Sequence, residues 1–176
     1  MAELFFNKIN RPITEFNCGN NSIEDSIKNS YFQNLCEISY TFEVTYSKQV
    51  VGYFCLKLHT IEPVDLPEEI GDVDLGRPFL FYAVEIKYLA IWKYIQKKGI
   101  GTAIIKTIIC LLREYNSNIP YRFVYIDALP ELVEWYKKLG FSCFDGVLDA
   151  TSPTIPMFLD LNSCSNAAAI KEYMEL

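Results

Sequence analysis

Gln96-Lys97-Lys98-Gly99-Ile100-Gly101-Thr102 is the stretch of the chain that decides the fold. It lies between a strand-like run, Val84 to Ile91, and a helix-like run, Ala103 to Arg113. Glycines let a backbone approach a ligand closely, and the first turn of a helix directs unpaired N–H groups and a positive dipole end outward. Two lysines add positive charge. The stretch therefore predicts a binding site for a pyrophosphate.

Two well-known phosphate-binding patterns do not fit this turn. A P-loop requires Lys and then Ser or Thr after its second glycine, with a longer spacing between the glycines. A dinucleotide fingerprint requires a third glycine, where this chain has Ile104. A glycine pair before a helix is a weak signal by itself, and Lys97 and Lys98 could belong to an ordinary solvated face.

A second motif, Trp135-Tyr136-Lys137-Lys138-Leu139-Gly140-Phe141, makes the pattern specific. Gln-x-x-Gly-x-Gly after a strand, together with this motif, closely resembles the GNAT superfamily of acetyl-CoA-dependent N-acetyltransferases. The resemblance implies a mixed α/β (α+β) fold with a central mixed, mostly antiparallel, splayed β-sheet flanked by helices. It also implies acetyl-CoA as the cosubstrate.

Size and composition predict one globular domain over residues 1–176, because the chain is 51% hydrophobic and 15% aromatic. The segment Met1–Phe6 has no basic region, and the apolar run Ile100–Leu112 is short and contains Lys106. Neither a signal peptide nor a membrane span is expected. A cytoplasmic protein is the prediction.

The cysteines and the net charge add two expectations. Six cysteines are scattered without C-x-x-C spacing, and Cys55 and Cys110 fall inside apolar runs, so reduced core thiols are predicted rather than disulfides or a metal site. The net charge of −6 disfavours a nucleic-acid partner, although a basic patch could offset it. The lysines and arginine of such a patch would be Lys87, Lys93, Lys97, Lys98 and Arg122.

The opening Phe16-Asn17-Cys18-Gly19 leads into a predicted helix with Ser22 as N-cap and Asp25 as its acidic partner. Ile23, Ile27 and Tyr31 mark the apolar face of this helix. The opening resembles that of a GNAT branch which includes toxins that acetylate aminoacyl-tRNA. Stand-alone acetyltransferases share it, so it identifies the branch better than the substrate.

Periodicity and turn residues predict the other elements. These are an edge strand within residues 1–15, a hairpin of Tyr40–Tyr46 and Val50–Leu58, one bent strand or two strands over Phe79–Ile91, a helix over Ala103–Tyr115, a strand over Tyr121–Asp127, a short helix bracketed by Pro130 and Gly140, strands over Phe141–Phe144 and Ile155–Leu161, and a terminal helix over Ala167–Leu176. Gly52 predicts a bulge or a close approach. The acidic stretch Glu62–Pro78 is either a solvated insertion or the rim of a site for a cationic amine.

The resemblance implies a cosubstrate site made mostly of main-chain groups. The pantetheine arm would pair with the strand before the turn much as an added β-strand does. The helix N-terminus would hold the pyrophosphate, with the glutamine bracing the turn. The residues that match the family pattern are Leu89, Ala90, Ile91, Gln96, Lys97, Lys98, Gly99, Ile100, Gly101 and Thr102.

Two side chains are the candidate catalytic groups. An ammonium cannot attack a thioester, so some group must accept its proton, and a carboxylate with a pKa raised by burial is able to do so, directly or through water. Glu85-Ile86-Lys87-Tyr88-Leu89-Ala90-Ile91 is similar to the histone-acetyltransferase stretch in which the glutamate is the base; alternatively Glu85 pairs with Lys87 on one strand face. Tyr136 matches the family's tyrosine that protonates the leaving thiolate; alternatively Leu132, Trp135, Tyr136 and Leu139 form an apolar stripe with the Tyr136 oxygen turned outward.

Other polar residues are weaker candidates. His59, the only histidine, could reach a substrate or be structural. Asp127 either lines the acceptor pocket or precedes the next helix as a polar residue near its cap. No partner set for a covalent or metal mechanism is evident.

The pattern therefore predicts an N-acetyltransferase that transfers acetyl directly, in a ternary complex, to an amine on a small molecule, peptide or protein. One alternative is a toxin that acetylates the amino group of aminoacyl-tRNA. Another is a non-catalytic acyl-CoA sensor, which could have dispensed with Tyr136. A homodimer through the C-terminal strands is a further expectation.

Overall fold

The computed structural model describes residues 4–67, 70, 78–144 and 152–162. The predicted terminal helix, and residues 68, 69 and 71–77 of the acidic stretch, lie outside the described residues. The chain divides into two units, Met1–His59 with Val84–Cys110 and Thr60–Ala83 with Leu111–Leu176. The organisation of the chain as a single domain stays a prediction.

Seven strands and four α-helices occur within the described residues. They are β1 Leu4–Lys8, α1 Asn21–Lys28, α2 Ser30–Leu35, β2 Tyr40–Tyr46, β3 Gln49–Ile61, β4 Phe81–Ile91, α3 Ile100–Asn116, β5 Phe123–Ala128, α4 Val133–Lys137, β6 Ser142–Cys143 and β7 Ile155–Asp160. Short 3₁₀ helices cover Pro63–Asp65, Lys93–Ile95 and Pro130–Leu132. The predicted fold class, a mixed α/β protein with a mostly antiparallel sheet and flanking helices, is confirmed.

The sheet of the first unit has the strand order β1-β2-β3-β4. The predicted hairpin is confirmed, since β2 and β3 pair antiparallel from Tyr40↔Leu56 to Tyr46↔Gln49. Ser47 and Lys48 both have positive φ, the conformation of a tight two-residue turn whose twist matches that of the strands. A register shift after Val44 leaves one extra residue in β3 and forms a β-bulge.

One face of this sheet is covered by the N-terminal segment and α1. Ile27 of α1 is fully buried there, and Ile23 and Tyr31 pack against the same core, as the predicted helical face requires. The buried members of this core are Ile9, Ile13, Phe16, Cys18, Ile27, Tyr53, Cys55, Tyr88 and Ala90. Burial of so much apolar surface is the main source of stability for the unit.

The N-terminus of α1 differs from the prediction. Asn20, not Ser22, is the N-cap, and its side chain accepts from the Ile23 N–H. The acidic partner is Glu24, not Asp25, because Glu24 Oε1 accepts from the N–H groups of Cys18 and Gly19, both at 2.9 Å. Asn is as good a cap as Ser, so the helix begins two residues earlier than the sequence pattern indicated.

Helix α3 is amphipathic. Ile104, Ile105 and Ile108 are buried, whereas Lys106 and Cys110 are exposed. The prediction of a core thiol is therefore confirmed for Cys55 and wrong for Cys110. The described cysteines 18, 36, 55, 110 and 143 are all free.

The second unit contains the antiparallel strands β5, β7 and β6 in that order. Its core is aromatic, with Phe123 fully buried and Phe144 and Phe158 packed around it. Arg122 forms a bidentate ion pair with Asp160, in which Nη2 and Oδ2 are 2.8 Å apart. The described helices of the chain include none that is long and apolar enough to cross a bilayer.

Candidate functional site

The predicted pyrophosphate turn lies directly before α3. Lys97 and Gly99 both have positive φ, 61° and 80°, and the helix begins at Ile100. Positive φ is uncommon for a lysine, so the turn holds a strained backbone. A methyl group at Gly99 would meet nothing within 4 Å, which means that the glycine supplies conformation rather than space. The exposed Lys97 and Lys98 flank the start of the helix.

The turn is tied to the Phe16–Gly19 opening through Gln96. Gln96 Nε2 donates to Cys18 O at 2.7 Å and to Ile91 O at 2.9 Å, so one amide joins the opening to the end of β4. Lys93 N donates to Asn17 O at 2.9 Å beside it. Sequence reasoning did not find this role of the opening, because carbonyl oxygens that come together in space leave no pattern in the chain.

The end of β4 is packed closely against β3 at Gly52. A Cβ added to Gly52 would approach Ala90 O much closer than the sum of the two van der Waals radii, and it would lie 3.1 Å from both Ala90 C and Ile91 Cα. Trp92 N donates to Val51 O at 3.1 Å, next to the bulge. Both predicted features of Gly52, a bulge and a close approach, are confirmed. Leu89–Ile91 form the end of one continuous strand rather than of a strand pair.

Glu85 is a buried carboxylate with two basic partners on β3. It is 5% exposed, and its Oε2 lies 3.0 Å from Lys57 Nζ and 3.1 Å from His59 Nδ1. The alternative of a pair with Lys87 is wrong, because the exposed Lys87 donates to Gln33 instead. The structure thus brings Glu85 and His59 together, which the sequence analysis treated separately.

Tyr136 lies on α4 in the second unit and is only 8% exposed. Its ring packs edge-on against Trp135 and Phe141, with centroids 4.6 and 5.5 Å away. Burial raises the pKa of Tyr136 to about 12, so the phenol keeps its proton at neutral pH, as an acid catalyst must. The apolar-stripe hypothesis is wrong in detail, because Tyr136 is the buried member while Trp135 is half-buried and Leu132 exposed.

Asp127 lies inside β5, one residue before the end of the strand. It is exposed, and Oδ1 accepts from the Tyr125 hydroxyl at 2.9 Å. The alternative prediction, that Asp127 lies near the cap of the next helix, is wrong, because Leu129 is the N-cap of the Pro130–Leu132 helix. The prediction that Pro130 begins and Gly140 follows a short helical region is confirmed. Pro130 begins the 3₁₀ helix, and Gly140, with φ 97°, follows α4.

The cavities of the first unit do not identify the site. The larger, about 1030 Å³, is lined by residues 6–15 with Glu43 and Tyr53, none of which is a predicted site residue. The other, about 730 Å³, touches the turn at Lys98, Gly99 and Ile100. Groups of three or more His, Cys, Asp or Glu able to hold a metal are absent from the described part of the chain.

We expect the free energy of unfolding to fall as pH rises above about 10. The pKa values of Tyr53 and Tyr136 are raised to about 12, in both cases mainly by burial and for Tyr53 also by the Glu43 carboxylate. The unfolded chain then loses these protons before the folded chain does, which favours unfolding by on the order of 2 kcal/mol for Tyr136 by pH about 12, and by less for Tyr53, whose phenol is better screened by solvent. Urea unfolding at increasing pH, repeated with Tyr136→Phe, measures this. A flat profile, or an equally steep one in the variant, would contradict it.

Comparison with solved structures confirms the predicted class of fold, because the mixed α/β fold of the chain is similar to that of several toxin structures. A bacterial toxin superimposes with a TM-score of 0.76 at 19% identity, over 98% of this chain and 97% of that one. AtaT complexed with acetyl-methionyl-tRNAfMet gives 0.74 at 18% identity, over 92% and 96%. AtaTR bound with AcCoA gives 0.68 at 18% identity, over 96% and 98%. No family model and no curated protein matches the chain.

The charge argument against a nucleic-acid partner has no support from these comparisons. One structure of the same fold is that of a toxin in complex with an acetylated aminoacyl-tRNA. The net charge of −6 describes the whole chain and says little about the surface around one site. Nucleic acid therefore remains among the candidate substrates.

Proposed function

We propose that this protein is an N-acetyltransferase that moves the acetyl group of acetyl-CoA directly to a primary amine. The observation that carries the proposal is the turn before α3, where a strained backbone held by the Gln96 amide presents the first N–H groups of a 17-residue helix. Such N–H groups and the helix dipole bind phosphate. The main chain of Leu89, Ala90 and Ile91 is proposed to pair with the pantetheine arm.

The proposed cosubstrate site needs no metal. The N–H groups of Lys98 to Thr102 hold the pyrophosphate, and the charges of Lys97 and Lys98 add a salt-dependent attraction. Gln96 keeps the turn in place. Acetyl-CoA then supplies the thioester, and the chain supplies the groups that move protons.

Two proton transfers accompany the proposed reaction. The amine must lose a proton before or during its attack on the thioester carbonyl, and the cluster around Glu85 is assigned to that task. The departing thiolate takes a proton from the Tyr136 phenol, which stays protonated at working pH because burial raises its pKa to about 12. Asp127 is assigned to the acceptor side, where an exposed carboxylate attracts a cationic amine.

The proposal is tested by binding and turnover together. Acetyl-CoA should raise the melting temperature of the protein in a concentration-dependent way, because a ligand that binds only the folded state stabilises it. Free thiol should then appear with at least one member of a panel of amino acids, polyamines, lysine peptides and aminoacyl-tRNAs. Binding without thiol release from any amine would favour the sensor hypothesis instead.

A second candidate narrows the acceptor to the amino group of aminoacyl-tRNA. The observation that favours it is the likeness to AtaT complexed with acetyl-methionyl-tRNAfMet, which extends over 92% of this chain. Under this hypothesis, expression should arrest growth and Tyr136→Phe should relieve the arrest. Acetylated aminoacyl-tRNA should also form in a purified reaction, at a rate that falls with added salt. Normal growth together with rapid acetylation of a small amine would exclude it.

We expect Gln96→Ala to weaken acetyl-CoA binding roughly thirtyfold, since two hydrogen bonds that hold the turn are lost at about 1 kcal/mol each. Isothermal titration calorimetry measures this, and the fraction of folded protein is checked by circular dichroism. Lys106→Gln is the matched control, because this exposed residue of α3 lies outside the turn. Equal affinities of Gln96→Ala and wild type for acetyl-CoA would show that the amide does not organise the pyrophosphate-binding turn.

A further inference from the structure

Glu24 of α1 reaches back past the N-cap to the loop that precedes the helix. Its Oε1 atom accepts hydrogen bonds from the N–H groups of Cys18 and Gly19, both at 2.9 Å. Successive N–H groups that converge on one point form a binding place for an anion, and here the chain's own carboxylate occupies it. Gly19 has a φ of 83°, which glycine adopts without strain. The half-buried Glu24 side chain therefore holds this loop in one conformation.

The peptide group between Cys18 and Gly19 is held from both sides. Its N–H, which belongs to Gly19, donates to Glu24, and its C=O, which belongs to Cys18, accepts from Gln96 Nε2 at 2.7 Å. The N–H and C=O of a trans peptide lie in one plane and point in opposite directions, so the bond to Glu24 directs the carbonyl towards Gln96. An N–H bonded to a carboxylate also polarises its peptide group, which makes the carbonyl oxygen a better acceptor.

We propose that Glu24 is a positioning residue for acetyl-CoA, acting through Cys18 O and Gln96 on the turn that binds the pyrophosphate. Gln96 directly precedes Lys97, whose φ of 61° belongs to the strained backbone of that turn. The Gln96 amide joins the turn to Cys18 O and to Ile91 O. The inference rests on the proposed function and deepens it, because it gives a carboxylate outside the turn a part in holding the cosubstrate.

The Phe16–Gly19 opening has an anchor of its own. The Phe16 ring packs edge-on against the rings of Tyr53 and Trp92, with centroids 5.0 and 4.9 Å away. This apolar contact keeps the opening docked on its own unit without the carboxylate. Loss of Glu24 should therefore release the last peptide group of the opening while the opening itself stays in place.

The direction of the effect separates positioning from simple electrostatics. A carboxylate repels a pyrophosphate, so a Glu24 that acted only through its charge would tighten acetyl-CoA binding when it was removed. Positioning predicts the opposite, because without Glu24 the Cys18–Gly19 peptide group is free to turn away from Gln96. Removal of the negative charge should thus weaken the binding of an anion.

Isothermal titration calorimetry of the intact protein with acetyl-CoA tests the proposal. Glu24→Ala should raise the Kd about fivefold, because only one of the two Gln96 hydrogen bonds depends on Glu24. Glu24→Gln keeps an acceptor oxygen at the same reach, so its Kd should stay within about twofold of wild type. Glu24→Asp keeps the charge but is one methylene shorter, and it should weaken binding as Glu24→Ala does. Asp25→Ala removes an exposed carboxylate from the same helix and is the matched control, with unchanged affinity expected.

A double-mutant cycle shows whether Glu24 acts through Gln96. Glu24→Ala combined with Gln96→Ala should bind acetyl-CoA no more weakly than Gln96→Ala alone, because the hydrogen bond that both substitutions break can be lost only once. A general effect of Glu24 on the fold would instead make the two losses of affinity multiply. In steady-state kinetics with the amine identified by the panel above, Glu24→Ala should raise KM for acetyl-CoA and leave kcat unchanged.

Three results would overturn the inference: Glu24→Ala binds acetyl-CoA as tightly as wild type or more tightly, Glu24→Gln binds as weakly as Glu24→Ala, or the two losses multiply. Urea unfolding checks that each variant is folded. Glu24→Asp keeps an acidic residue in the first turn of α1, so it supplies the result if Glu24→Ala does not fold.

The same measurements separate this inference from the proposed function. If wild type binds acetyl-CoA but releases no thiol with any amine, the proposed reaction fails while the role of Glu24 in binding is still decided by the variants. If wild type does not bind acetyl-CoA, the proposed function fails and the inference fails with it.

Discussion

Tyr136→Phe is expected to lower kcat for acetyl transfer by on the order of 100-fold or more, while acetyl-CoA binding stays unchanged. The substitution removes only the phenolic O–H group. The ring remains packed against Trp135 and Phe141, so the fold of α4 should be preserved. A thiolate that leaves without a proton is a poorer leaving group, and the rate falls for that reason.

Single-turnover thiol release is the measurement, because it reports the chemical step without product dissociation. Tyr121→Phe is the matched control in the same unit. Its hydroxyl is buried and donates to Leu112 O at 2.7 Å, so its loss should cost about 1 kcal/mol of stability without slowing transfer. Equal loss of rate in both variants would mean that losing a buried hydroxyl slows transfer through a general loss of stability, and that Tyr136 is not the acid.

Gly52→Ala is expected to destabilise the protein by about 3 kcal/mol and to weaken acetyl-CoA binding severely. The new methyl group would overlap Ala90 O, and strand backbone cannot move aside as a flexible side chain can. Relief requires β3 and β4 to separate at the residues that are proposed to pair with pantetheine. Urea unfolding measures the first effect and calorimetry the second.

The double variant Gly52→Ala with Ala90→Gly distinguishes the source of the clash. Removing the Ala90 methyl should not restore stability, because the obstructing atom is the main-chain oxygen. Full recovery in the double variant would place the clash in the side chain. An unchanged unfolding midpoint in Gly52→Ala would contradict the close approach altogether.

Much of the fold follows from local pattern. The hairpin was predicted from alternation and β-branched residues, and the short helix after β5 from Pro130 and Gly140, because these features act over a few residues. Errors arose where several residues competed for one role. Asn20 and Ser22 are comparable caps, and Cys110 lies in an apolar run although it faces outward from an amphipathic helix.

The candidate site was less accessible to sequence reasoning. The turn was found because its glycines and helix start are contiguous in the chain. The pairing of Glu85 with His59 depends on how β3 lies beside β4. The hydrogen bond from Gln96 to Cys18 O joins residues that are far apart in the chain. Neither arrangement leaves a local pattern in the sequence, so both become visible only in the three-dimensional structure.

The bond from Gln96 to Cys18 spans 78 positions along the chain. Contacts between residues so far apart require the closure of a long loop, and such contacts form later in folding than local helices and hairpins. A ribosome-bound nascent chain that has not yet docked its Phe16–Gly19 opening would therefore lack the organised turn that we propose binds the pyrophosphate of acetyl-CoA. Capture of partly synthesised chains on immobilised coenzyme A would in this way report the moment at which the N-terminal segment docks.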